Sequence, residues 1–188
     1  MSDERPGEKD ALIIVDVQND FFPGGALAVE GADEVVPVLN SWIERAEAAG
    51  AMVVASRDWH PEGHVSFKSQ GGEWPPHCIQ GTNGAAFHPG LRLTAETKIV
   101  TKGDNPRSDQ YSAFDRTGLT EDLRKSGVER LWVGGLAQDV CVLQTVMDAL
   151  AAGFEVHLIR DATRPVNVSP GDGERALEEM REAGAVIE

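Results

Sequence analysis

Only two cysteines occur in 188 residues, which excludes a disulfide framework and makes a reducing, cytoplasmic setting the expectation. No apolar run approaches the roughly 18 residues that a membrane helix requires. The first ten residues are polar and mixed in charge, without the apolar stretch of a signal peptide. Positive charge is scarce: 17 Lys and Arg face 31 Asp and Glu, a formal net charge of −14. That balance opposes nucleic acid and anionic membrane surfaces, yet it does not repel a small neutral or weakly basic substrate. Internal repeats and low-complexity segments are also missing. What is present is an ordinary globular composition, 41% hydrophobic and 26% charged. We expect residues 1–10 to form a flexible tail and residues 11–188 a single domain with a sizeable core.

Strand and helix patterns alternate along that domain. Ala11 to Val15 is a run of Ala, Leu, Ile and Val without polar alternation, as suits a parallel strand covered on both faces. A helix follows from about Asp33 to Ala49, closed by Gly50. Further strands are expected at Met52 to Ala55, Lys98 to Thr101, Leu131 to Val133, Val156 to Ile159 and Ala185 to Ile187. Helices are expected near Leu119 to Ser126, from Asp139 to Ala152 and from Asp172 to Ala183. Between Trp59 and Glu96 lies a long irregular stretch rich in Gly, Pro, His and Trp, a length that marks either a functional loop or disorder. Such alternation implies right-handed β-α-β units, hence an α/β three-layer sandwich around a six-stranded, mostly parallel sheet. With strand order 3-2-1-4-5-6, strands one and four meet where the order reverses, the usual place for a ligand.

Four reactive residues fall at strand ends: Asp16, Asp58, Lys102 and Cys141. Cys141 follows the Gly134-Gly135 pair and sits in the first turn of the expected helix, where free N–H groups favour a thiolate and can receive an oxyanion. On position alone, a small buried cysteine packing a helix start fits as well. Asp16 is the base this order of strands would bring to Cys141, and a shielded carboxylate there would have a raised pKa. By itself, a turn residue after a strand is the commoner role for such an aspartate. Lys102 would supply a counter-charge, although a lysine at a strand end is more often simply solvated. Asp58, His60 and His64, with His77 further on, form a second group of one carboxylate and three imidazoles. That set suits a divalent metal such as zinc, iron or manganese, and scattered loop histidines suit it equally. His88 reads as a loop or capping residue, His157 as a strand residue, and Cys78 as a buried thiol with no base beside it. Phe21, Trp74 and Tyr111 lie in loops, where aromatics line a flat-ring pocket or cover the core.

Five segments, read together, resemble the nicotinamidase/pyrazinamidase branch of the isochorismatase-like cysteine hydrolases. They are ALIIVDVQNDFFPGGALAV, RDWHPEGHVSF, WPPHCIQGTNGAAFHP, KGDNPRSDQYSAF and VGGLAQDVCVLQTV, in the family's order. The resemblance implies a catalytic triad of Asp16, Lys102 and Cys141, and metal ligands Asp58, His60, His64 and His77. It implies an oxyanion hole at the amides of Ala137 and Cys141, and a cis peptide at Leu136–Ala137. It implies a substrate pocket of Phe21, Trp74, Tyr111, Leu136 and Ala137 around a pyridine ring. The implied reaction converts nicotinamide, or pyrazinamide, to the acid and ammonia through a thioester, in NAD salvage, with one divalent metal ion, zinc first, per chain. Homo-oligomers are common in the family. Val140, before the nucleophile, is aromatic or histidine in some members, a departure that bears on fine substrate preference and not on the chemistry; the alternative reading is a related cysteine hydrolase acting on another small amide or an N-carbamoyl compound.

Overall fold

The computed structural model describes residues 5–188. The strands are β1 (Asp10–Val15), β2 (Met52–Asp58), β3 (Lys98–Lys102), β4 (Arg130–Leu136), β5 (Glu155–Arg164) and β6 (Val186–Ile187). Their order is β3-β2-β1-β4-β5-β6, and every pairing is parallel. The helices are α1 (Val35–Ala48), α2 (Leu119–Lys125), α3 (Leu143–Ala151) and α4 (Asp172–Glu182).

The period-two alternation of a strand divides β1 between two cores. Leu12 and Ile14 pack with Leu39, Trp42 and Ile43 of α1 on one face. Ala11, Ile13 and Val15 pack with Leu123 of α2, Val146 of α3 and Leu177 of α4 on the other. All six residues of β1 are buried, as its unbroken apolar run requires. Each fully buried Leu or Ile contributes on the order of 1.5–3 kcal/mol of hydrophobic stabilisation.

Two expectations change. Residues 1–4 of the expected tail lie outside the described residues, but Asp10 is no tail residue: it opens β1 and pairs in register with Arg130 of β4. Arg130 and Trp132 hold its carboxylate buried. The helix expected from Asp139 begins instead as a π-helical turn, Gln138–Val142, with the regular helix starting at Leu143. Val142 N–H reaches back five residues to the Ala137 carbonyl (3.1 Å), which widens the turn. The Asp139 carboxylate leaves the helix to accept the N–H groups of Val166 (2.9 Å) and Asn167 (2.8 Å).

The long stretch after β2 is ordered by short pairings: His60 with Ile79, Phe67 with Trp74, and Gln18 with Phe87. These fold it across the carboxyl ends of β1, β2 and β3.

Candidate active site

Register places the reactive residues. Val15 lies between Ser56 of β2 and Gly135 of β4, and Asp58 pairs with Lys102 of β3. Asp16, one step beyond β1, therefore projects at the point where strand order reverses. The close approach of β4 to β1 depends on Gly135: its φ is +120°, and a Cβ there would collide with the Val15 backbone.

Lys102 is the hub of the buried cluster. Its Nζ lies 2.7 Å from Asp16 Oδ2, 2.6 Å from Asp58 Oδ1 and 3.4 Å from Cys141 Sγ. Oxygens of both carboxylates lie within 4.8 Å of Cys141 Sγ. With the ammonium at its centre, this group is an ion cluster rather than a second metal set. Asp16 and Lys102 are fully buried. Burial alone would lower Lys102, but the charges of Asp16 and Asp58 keep it well above its usual range. Burial raises Asp16; Lys102 opposes this, and the Asp58 charge adds to it. Burial would likewise raise Asp58, yet Lys102 and hydrogen bonds from His60 and His77 hold it well below the carboxylate range.

At Cys141 burial and charge act in opposite directions. Its position in the first helical turn favours a thiolate, but burial pushes the thiol well above its ordinary value despite the pull of Lys102. Burial thus works against the thiolate at this position, and Lys102 works for it.

Asp58 also faces the imidazoles. His60 Nε2 lies 3.6 Å and His77 Nε2 3.8 Å from Asp58 Oδ2. His60 Nδ1 meets the Gly103 carbonyl at 2.8 Å, and His77 Nδ1 meets the Pro75 carbonyl at 2.8 Å. A carbonyl only accepts, so both Nδ1 atoms carry protons, and both Nε2 atoms are turned toward the carboxylate. One carboxylate and two oriented imidazoles fit a borderline divalent ion, with the outer hydrogen bonds such ligands use. Gly103 permits this, since a Cβ there would run into the His60 ring.

His64, expected in the same set, stands beside it. Its ring stacks on His60 (centroids 4.2 Å apart), but both nitrogens are engaged. Ser66 Oγ lies 2.7 Å from Nδ1, and the Ser108 carbonyl lies 3.3 Å from Nε2. The tight turn at Pro61–Gly63 swings the ring back behind His60 rather than toward Asp58.

A cavity opens above Cys141, Asp58, His60 and His77. Phe21, Trp74, Tyr111 and Ala137 line it, with Val140 and Val166. Trp74 Nε1–H donates to the Tyr111 hydroxyl (3.1 Å), fixing two walls together. Leu136 does not line it; its side chain is buried in the core against α1. The Leu136–Ala137 peptide is cis.

Several positioning residues escaped the sequence reading. Gln18 accepts the Asp58 N–H (2.8 Å) and donates to the Asp58 carbonyl (2.7 Å), so its amide braces the end of β2. Ser56 Oγ donates to Asp16 Oδ1 (2.7 Å). Asp20 accepts the N–H groups of Cys78 (2.7 Å) and Ala26 (3.1 Å), tying the Phe21 loop to the His77 segment. The one available signal was alternation: Ser56 and Asp58 share a strand face, as do Asp16 and Gln18 if the strand is extended. Cys78 is buried, its thiol raised by burial, and it joins neither cluster.

Comparison with known proteins supplies the relationship. The sequence profile of the Isochorismatase domain matches residues 10–188. The nicotinamidase of Escherichia coli (strain K12) is 43% identical over 198 residues, covering 94% of this chain and 93% of that protein. The zinc complex of the pyrazinamidase of Pyrococcus horikoshii superposes with a TM-score of 0.92 at 46% identity, covering 96% of this chain and 98% of that one. PnC1 from L. infantum in complex with nicotinate gives a TM-score of 0.89 at 38% identity, covering 98% and 95%. A match over nearly the whole length, in sequence and in fold, means that this chain belongs to the isochorismatase family, beside its nicotinamidases and pyrazinamidases.

Proposed function

We infer that this protein is a metal-containing cysteine amidohydrolase that converts nicotinamide to nicotinate and ammonia, accepts pyrazinamide, and serves NAD salvage in the cytoplasm. One observation carries this reading: a buried thiol, carboxylate and ammonium meet beneath an aromatic cavity that a three-donor metal set also borders. The names of the relatives support the choice of substrate. No helix of the described residues is long and apolar enough to cross a membrane.

Asp16 takes the proton of the Cys141 thiol as sulfur attacks the carboxamide carbon. Its raised pKa suits both halves of its task, accepting that proton and then returning it. Lys102, charged throughout, keeps Asp16 and Asp58 together and lowers the cost of the sulfur anion. The amides of Ala137 and Cys141 receive the oxyanion on the carbonyl oxygen. Asp16 then protonates the amide nitrogen, the C–N bond breaks, and ammonia leaves a thioester on Cys141. Water attacks the thioester carbon while Asp16 accepts its proton. Sulfur departs as the C–S bond breaks, and the proton returns to it, freeing the carboxylate. Asp58, His60 and His77 would hold the divalent ion, zinc first among those the donors suit, and when bound it would supply a Lewis-acid contact for a ring nitrogen. His64 backs the His60 ring and ties it to the loop at Ser108. Phe21, Trp74 and Tyr111 enclose the ring.

The test is ammonia release from nicotinamide by the purified protein, before and after chelation. We expect turnover that chelation suppresses and divalent metal restores. Cys141→Ala should bind nicotinamide without releasing ammonia; release at the normal rate by that variant would overturn the reading.

A further inference from the structure

The reaction begins with a neutral amide and ends with an anion in the same cavity, so anything charged at the cavity mouth acts on the two unequally. Asp109 is such a group. It is half-buried and lines the active-site cavity. It also lines an outer depression shared with Tyr111, Asp115 and Asp148. A second depression adjoining Trp74 and Tyr111 is bordered by Glu73, Asp139 and Asp172. No lysine or arginine lines either depression among the described residues.

The Asp109 carboxylate is held in place, is felt electrostatically at His64, and has no lysine or arginine paired with it among the described residues. Its Oδ1 accepts the Gln110 N–H at 3.0 Å. Arg116, the nearby cation, reaches only the Asp109 backbone carbonyl (3.1 Å) and directs its charge to Asp115, at 2.8 and 3.0 Å. Among the described residues no basic side chain pairs with the Asp109 carboxylate. Its nearness to the aromatic wall is felt at Tyr111. Burial raises that phenol to about 12, and the charge and hydrogen bond of Asp109 add to the rise, against the Trp74 N–H.

We propose that Asp109 is a specificity-determining residue that discriminates the carboxylate product from the carboxamide substrate, a fixed anion at the cavity mouth that favours entry of the neutral ligand and departure of the charged one. This rests on the amidohydrolase reading above. A single charge at a partly exposed position should change the relative affinity of a carboxylate by about three- to tenfold, and salt should weaken the effect.

The experiment compares wild type, Asp109→Asn and Tyr111→Phe through the ratio of the nicotinate inhibition constant to the nicotinamide KM, at low and high ionic strength. Asp109→Asn keeps the shape and an acceptor for the tyrosine hydroxyl while removing the charge. We expect its ratio to fall about three- to tenfold at low salt. Added salt should move the wild-type ratio toward the Asp109→Asn value, a result that needs no variant to fold. Tyr111→Phe should leave the ratio within about twofold of wild type, because the charge remains. Equal ratios in wild type and Asp109→Asn at low salt would overturn the proposal. So would a Tyr111→Phe ratio that falls as far as that of Asp109→Asn, since the effect would then travel through the tyrosine. Absence of any ammonia release by the wild-type chain would instead sink the amidohydrolase reading, and the proposal with it.

Discussion

Strand β1 has a buried aspartate at its start and another just past its end, and the fold holds them in opposite ways. Asp10 Oδ2 accepts from Gly7 N–H (2.9 Å), from Arg130 Nε (3.1 Å) and Nη2 (2.8 Å), and from Trp132 Nε1 (3.0 Å). Burial would raise its pKa, but these donors outweigh burial, and the carboxyl sits below its ordinary 3.8. Asp16 accepts one hydroxyl, from Ser56, and shares the Lys102 ammonium with Asp58. There burial wins, the neighbouring carboxylate adds to it, and the pKa rises. Donors dedicated to one carboxylate make a structural anion. A cation divided between two carboxylates in a buried site leaves one of them with a raised pKa, which suits the proton carrier of the proposed reaction. The same side chain type is thus held ionised at the start of β1 and pushed toward its neutral form just past its end.

That contrast breaks most severely at Lys102. Lys102→Met should leave two buried carboxylates without their shared cation. We expect a loss of about 3–5 kcal/mol of stability by chemical denaturation, together with loss of ammonia release. Stability equal to wild type would mean that the ion cluster is not what holds the ends of β1, β2 and β3 together.

Asp10 gives the smaller effect and sharpens the comparison. Asp10→Asn should cost about 1–3 kcal/mol near neutral pH, through weakened bonds to Arg130, Trp132 and Gly7, with turnover retained. The sign follows from the depressed pKa. The folded value lies below 3.8, so the stabilisation is complete above 3.8 and is lost as pH falls through the folded value. Denaturation midpoints of the two proteins should therefore converge in acid. A gap that persists unchanged at low pH would assign Asp10 a packing role rather than a charged one.

The sheet was legible in the sequence because its signals are local. Ala11 to Val15 and Leu131 to Val133 are too apolar to be anything but buried strands, and alternation with helices fixes parallel order. Asp16, Asp58 and Lys102 were legible because each sits at or just past a strand end, and Cys141 because it lies in the turn that follows β4, the strand paired with β1. What stayed hidden depends on distant partners. Asp10 looks like a tail residue until Arg130 and Trp132, 120 and 122 positions away, are seen to hold it. Gln18 looks like a loop residue until its amide is paired with the backbone of Asp58, 40 positions on. His64 matches its neighbours in type and spacing, and only the turn direction separates it from Asp58. The π turn at Gln138–Val142 accompanies the hydrogen bonds of Asp139 to Val166 and Asn167, distant partners that helical periodicity does not record.

The account depends most on Asp16 as the group that moves the Cys141 proton, and the pH profile of kcat/KM for nicotinamide reads it directly. Turnover needs Asp16 ionised at the start, so the rate should fall as pH drops through its raised pKa, with an acid limb above the ordinary carboxylate value of 3.8. Asp16→Asn should lower kcat/KM by about a hundredfold or more and abolish that limb. An Asp16→Asn protein with wild-type kcat/KM and an unchanged acid limb would contradict it.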